Sequence, residues 1–301
     1  MGKVKKLVKY LVITDDDDQI KHQHKSFLQE LDKHGNVIRE VDYKADGGVD
    51  NAADYTYDEN NRLIEEVHYY EDEVSEIIRY NLDENGRRTE VETTYADNSK
   101  SVKKIVRDNN TITVTTFDED GDIEEEEQIK YDEQGRIVEE VKTDEDGKTV
   151  THSEYTYNKK GKLLYKTEYE GDNGSFIKTT LDYDNRDNLV SETQVTDQGN
   201  LVHSVNYQYN DKGERTTWQN NYHVHHVEYD EHGRPVTEET KNRMNNLIEN
   251  FTEYKYNQQG LVAEERTFNL GDQYQIEAGV FGGSSSDFVI TKYEYEFYDG
   301  Q

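Results

Sequence analysis

One seven-residue phrase recurs along this chain and leaves few folds open to it. Tyr131-Asp132-Glu133-Gln134-Gly135-Arg136-Ile137 has close copies at Tyr57–Leu63 and Tyr229–Pro235, and looser ones beginning at Leu31, Leu82, Phe117, Tyr157, Tyr183, Val195, Tyr209 and Tyr256. From Tyr131 the step to Tyr157, Tyr183 and Tyr209 is 26 residues each time, and from Leu31 to Tyr57 it is 26 again. A fixed period of that size marks a repeat architecture, in which each unit buries its face against the next.

The phrase has the chemistry of a tight hairpin. Asp or Asn at the first turn position with Gly three residues later signals a type I turn closed by a residue in the left-handed conformation. That position favours Gly and tolerates Asn, as at Asn61. The geometry sets Asp132 opposite Arg136 and Tyr131 opposite Ile137, and such cross-strand pairs contribute roughly 0.2–1 kcal/mol each. Tyrosines two apart (Tyr55/Tyr57, Tyr155/Tyr157, Tyr207/Tyr209, Tyr254/Tyr256, Tyr293/Tyr295) share one strand face. Second turns fall inside the units at Thr143–Gly147 and Gly171–Gly174.

One strand and one turn about every 13 residues gives a meander of roughly twenty strands. The expected fold is all-β: tandem antiparallel hairpin repeats of about 26 residues in one long twisted or coiled meander sheet, closing toward a barrel or spiral. The chain reads as one repeat domain over 1–301. Residues 1–30 form capping strands, the first of them in Met1–Thr14, residues 31–262 the repeats, and 263–301 a C-terminal cap with a Gly/Ser-rich loop at 281–286.

Composition bounds what such a sheet can do. With 32% hydrophobic and 34% charged residues and a mean hydropathy of -1.15, a thick core is not expected. The 24 Tyr argue for folding in spite of a net charge of -31. The single Pro, Pro235, suits long paired strands, and zero Cys rules out disulfides and thiolate metal sites. The basic, apolar start is too short for a signal-peptide core, and nothing approaches the ~18 apolar residues of a spanning helix. These features place the chain in the cytoplasm, or make it secreted or surface-attached if an export signal was removed.

The Y-x-Y-D-x-x-G-R-apolar phrases between Leu31 and Val262, most sharply Tyr131–Ile137, resemble the YD repeat of the RHS family. The resemblance implies a bacterial β-sheet that spirals into a shell, often associated with polymorphic toxins. MORN-type repeats are a weaker likeness, since they use more glycine. With no proline-rich segment after the repeats, the chain is read as a free-standing repeat protein.

Little catalytic chemistry is written into the sequence. There is no phosphate-binding G-x-x-x-x-G-K-[ST] loop and no G-x-S-x-G elbow. His223 and His225 lie two apart and are weak candidates for a metal site, with no further ligand nearby. The acidic runs Asp15–Asp18, Asp118–Asp122 and Glu124–Glu127 do not follow the calcium-loop order, and acids are too abundant to single out a glycosidase pair. The chain is therefore expected to be no enzyme and to need no cofactor.

Excess acid repels nucleic acid and anionic membrane and steers a basic protein partner toward the sheet; it also keeps exposed strands from pairing with other chains. The leading expectation is a non-catalytic protein-binding repeat protein of immunity type, neutralising a basic bacterial toxin domain. The alternative is a structural or surface repeat protein, an adhesin or shell fragment. The tyrosine face serves first as the packed face of the sheet. As a binding platform it would offer Tyr155, Tyr157, Tyr207, Tyr209, Tyr254 and Tyr256, joined by Phe281 and Ser284 of the loop. The rhythm breaks at Tyr222–His226 and Leu270–Asp287, where function is most expected. The sequence sets no oligomeric state.

Overall fold

The computed structural model describes residues 2–14, 20–170, 174–269 and 289–299. The 281–286 loop with Phe281 and Ser284, the Asp15–Asp18 run and most of the Gly171–Gly174 turn lie outside them. Every element assigned among the described residues is a strand, and 22 of them make one antiparallel sheet. The first strand, β1 (Val4–Thr14), pairs with β2 (Ile20–Leu31) on one side and with the last, β22 (Val289–Phe297), on the other, so the meander closes.

The chain divides into two compact units. Unit 1 holds residues 1–55, 68–73 and 207–301. Its strands, besides β1, β2 and β22, are β3 (Val37–Tyr43), most of β4 (Val49–Tyr57), β17 (Arg215–Gln219), β18 (His223–Tyr229), β19 (Pro235–Asn242), β20 (Ile248–Tyr256) and β21 (Val262–Asn269). Its core is Val8, Leu28, Val41 and Ala52, with Tyr10, Tyr43, Val49 and Tyr69 against it. Val12 of β1, at 0% exposure, is the one large side chain fully buried among the described residues.

Unit 2 holds residues 56–67 and 74–206. After β5 (Leu63–Tyr70), shared between the units, it runs through β6 (Glu73–Leu82), β7 (Arg88–Tyr95), β8 (Lys100–Asp108), β9 (Thr111–Phe117), β10 (Ile123–Tyr131), β11 (Ile137–Asp144), β12 (Thr149–Tyr157), β13 (Leu163–Glu170), β14 (Ser175–Tyr183), β15 (Leu189–Thr196) and the start of β16 (Leu201–Tyr209). Burial alternates along its strands. On β12, Ser153, Tyr155 and Tyr157 are half-buried while Glu154 and Thr156 are exposed. The exposed positions of β10 and β12 include Gln128, Lys130, Glu154 and Thr156, together with Ile123 and Val150.

The turns are built as their residues require. Gly135 (φ 76°) donates its amide to the Asp132 carbonyl (3.0 Å), and Asp132 donates its own to the Arg136 carbonyl (2.9 Å). The Asp132 carboxylate takes the amides of Gln134 and Arg136 through Oδ1, and Nε of the Arg136 guanidinium at 2.6 Å through Oδ2. These bonds hold the carboxyl below its ordinary range, with Arg136 the leading cause. The same construction recurs at Asp58/Arg62 and Asp230/Arg234, with Asn61 (φ 59°) replacing Gly in the first. Asp132 thus faces Arg136, and Tyr131 pairs with Ile137 across a register shift.

Two of the looser copies, Phe117 and Val195, sit differently. They close β9–β10 and β15–β16, at the rim opposite the tyrosine phrases of β10–β11, β12–β13 and β14–β15. The broken rhythm between Leu82 and Tyr131 follows: four strands separate those phrases, and Phe117 belongs to the intervening turns. A turn's sequence specifies its conformation but carries no label for the rim it occupies.

Candidate functional site

The candidate tyrosines fall into two registers. The last tyrosine of a phrase strand reaches back to the preceding repeat: Tyr157 donates its hydroxyl to the Ile137 carbonyl (2.7 Å), Tyr183 to Leu163 (2.9 Å), Tyr256 to Pro235 (2.7 Å) and Tyr295 to Val262 (2.9 Å). In each case the acceptor is the apolar position six residues after the earlier phrase begins. In three of the four a cation stands just before that position and covers the incoming ring, with Arg136 at 4.7 Å from the Tyr157 centroid, Lys162 at 5.8 Å from that of Tyr183 and Arg234 at 4.3 Å from that of Tyr256. A cation over a half-buried ring contributes about 0.5–1 kcal/mol. The phrase therefore staples its own repeat to the next.

The tyrosine two residues earlier takes a carboxylate instead. Tyr155 donates to Glu140 (2.5 Å) and Tyr55 to Glu40 (2.9 Å); Tyr80 makes a short bond to Glu66. Burial first, then the adjacent carboxylate, pushes the Tyr80 hydroxyl up to about 12, and burial likewise raises Tyr155 and Tyr254. Tyr207 and Tyr209 are half-buried, and Arg215 lies 5.5 Å from the Tyr207 centroid.

The histidine segment is ordered by neighbours of other kinds. His225 stacks on Trp218 (centroids 5.3 Å, 15° between planes), meets Thr240 Oγ1 at 2.9 Å, and is pushed down by burial. His223 Nε2 lies 3.0 Å from Glu249 Oε2. Among the described residues no group of three or more His, Asp or Glu is arranged to hold a metal.

The adjoining turns carry a surface that the tyrosine pattern did not indicate. Arg243, after β19, donates its amide to the Tyr222 carbonyl (2.7 Å) and its guanidinium to the Asn220 carbonyl, tying the β17–β18 and β19–β20 turns together. Asn242 and Asn245 accept the amides of Met244 and Leu247, and Asn246 takes φ 60°. With the backbone so fixed, the apolar side chains face water: Met244 is 87% exposed, Tyr222 64%, Leu247 55% and Ile248 38%. Exposed apolar side chains on two turns tied to each other through Arg243 suit a protein-docking patch. Tyr222 falls within the rhythm break at Tyr222–His226; the Met244–Ile248 half had no periodic signal to find it by.

No family model and no curated protein matches the chain. Among solved structures it is similar to a TcdB2-TccC3-Cdc42 complex (13% identity, TM-score 0.40, 86% of this chain and 18% of that one) and to the Photorhabdus luminescens Tc holotoxin pore with its TccC3 D651A mutation (10%, 0.33, 88% and 21%). It is also similar to a porin-like protein from Bacteroides uniformis (12%, 0.34, 97% and 98%). The chain spans about a fifth of the length of the toxin-complex chains it matches. At TM-scores this low, neither likeness places a residue or a role on this chain.

Proposed function

We propose that the chain is a non-catalytic protein-binding repeat protein, and more finely an immunity-type protein that neutralises a basic bacterial toxin domain. The observation that supports this reading is the patch of Tyr222, Met244, Leu247 and Ile248 on tied, hydrogen-bonded turns of a protein whose net charge is -31. Apolar anchors supply affinity, while the acidic field raises the association rate of a basic partner. The tyrosine hydroxyls described above hold neighbouring strands together and the turn aspartates hold their own hairpin turns, which leaves binding to surfaces such as this one.

The test is inhibition of a basic toxin domain, sought first among the products of genes directly upstream. The purified chain should block its activity, bind faster at low salt, and lose most of its inhibition in the Met244→Asp/Leu247→Asp variant without a change in folding. Full inhibition by the variant, or none by the parent chain, overturns the reading. The repeat-to-repeat staples favour a second reading, a structural or surface repeat protein, for which the native chain would be found in the envelope rather than bound to a toxin.

A further inference from the structure

We propose that the outer edge of β2, from His22 to Ser26, receives an extended acidic peptide as an added strand. β1 pairs with β2 from Ile20 to Glu30, whereas the ladder to β3 begins only at Phe27, opposite Asp42. Residues 22–26 therefore have β1 on one side and, among the described residues, no strand on the other. A strand paired on one side presents a row of unpaired amides and carbonyls, a template for another strand.

The overhang lies between two register shifts in its ladder to β1, which skip Lys21 and Ser26, and side chains tie it down. Ser26 donates its hydroxyl to the Lys9 carbonyl, and Lys25 donates to the Tyr43 hydroxyl (2.8 Å) while lying 4.1 Å over its ring. His22 and Gln23 are exposed, and His24 Nδ1 is a buried ring nitrogen without a hydrogen-bond partner among the described residues.

Side-chain sign chooses the occupant. Between Ile20 and Gln29 the strand carries Lys21, His22, His24 and Lys25 and no acid, in a protein with nearly twice as many acids as bases. A second copy docking by the same edge would bring no opposite charge to Lys21 and Lys25. An acidic strand is matched. Asp15–Asp18 precede β2 in the sequence, so the sign along His22–Lys25, rather than the charge of the whole hairpin, is the quantity to probe.

The experiment uses the full chain and fluorescein-labelled peptides in anisotropy titrations: a short peptide alternating Glu and Val, its copy N-methylated at alternate amides, and a Lys-for-Glu counterpart. The acidic peptide should bind and protect the amides of residues 22–26 from hydrogen exchange, with about tenfold loss on N-methylation. The variant His22→Glu/Gln23→Glu, on two exposed side chains, should reverse the preference toward the Lys peptide. Equal binding of the methylated copy, equal binding of the acidic and basic peptides, protection elsewhere than residues 22–26, or no binding of the acidic peptide overturns the proposal. None of these outcomes bears on the Met244 patch, so the two readings fail separately.

Discussion

The two compact units reach stability by different routes. Of the eight apolar residues buried among the described residues, Val8, Val12, Leu28, Val41, Ala52, Ala53 and Ile290 lie in unit 1 and Val205 in unit 2. Unit 2 has little beyond the polar devices that both units share: Asp–Arg turns, tyrosine staples to backbone carbonyls, and ion pairs such as Lys142–Glu125 (2.5 Å) and Lys130–Glu139 (2.5 Å). Exposed ion pairs contribute little singly, and neutral hydrogen bonds about 1 kcal/mol. Repetition makes such small increments sufficient, because every unit supplies them again. Unit 1 contains the β1–β22 closure, which happens once, and there burial takes the place of repetition.

If that contrast holds, the largest effect belongs to the unit 1 core. Leu28→Ala should cost about 2–5 kcal/mol in urea unfolding, because its neighbours cannot collapse onto the void, while Leu181→Ala on half-buried β14 costs less than about 2. Equal losses would abolish the distinction.

Next comes the turn. Gly135→Val should cost about 1–2 kcal/mol, all of it from the left-handed backbone, since a Cβ there meets nothing within 4 Å. Gly135→Asn should cost much less, as Asn61 occupies the same position at φ 59°. A neutral Gly135→Val variant would contradict the assigned conformation.

A smaller loss, ~0.5–1.5 kcal/mol, is expected for Tyr157→Phe, which removes the staple to Ile137 and keeps the ring beneath Arg136. Arg136→Gln should cost less in the Tyr157→Phe background than in the parent, where the staple holds the ring beneath the guanidinium, a coupling readable in a double-mutant cycle. Strict additivity would show that ring and hydroxyl act independently.

The smallest effects are in pH dependence. The turn aspartates have folded pKa values below their unfolded ones, Asp230 down to about 2, chiefly through the Arg234 amide and guanidinium. Their contribution is complete above the unfolded value and is lost as pH falls from about 4 toward 2. Tyrosines shift the other way: Tyr80, raised to about 12 by burial and Glu66, contributes below pH 10 and loses that contribution as pH climbs toward 12. Urea midpoints should therefore fall at both extremes, and Asp230→Asn should flatten the acid limb alone. An unchanged acid limb would remove the turn carboxylate from the account.

Much of this was legible in the sequence where the determinants are local. Asp132, Gly135 and Arg136 lie within four residues of one another, and the Asp side chain satisfies the next amides wherever the hairpin sits, so the turn and its register at Tyr131–Ile137 follow from the phrase itself. The alternation of tyrosines fixed a shared face for the same reason. It did not say that Tyr155 would meet Glu140 and Tyr157 the Ile137 carbonyl, since that depends on which strand lies alongside.

The phrase that repeats along this chain thus determined an all-β meander of tight hairpins, because turn conformation and side-chain alternation are set by neighbours in sequence. Tertiary structure alone decided the rest: which rim Phe117 and Val195 occupy, the tied turns exposing Met244, the overhang of β2, and the pairing of β1 with β22, where Lys5 meets Glu296 at 2.7 Å. Those contacts join residues far apart in the chain. No period encodes them, and they form only when twist and strand number bring the first strand back to the last.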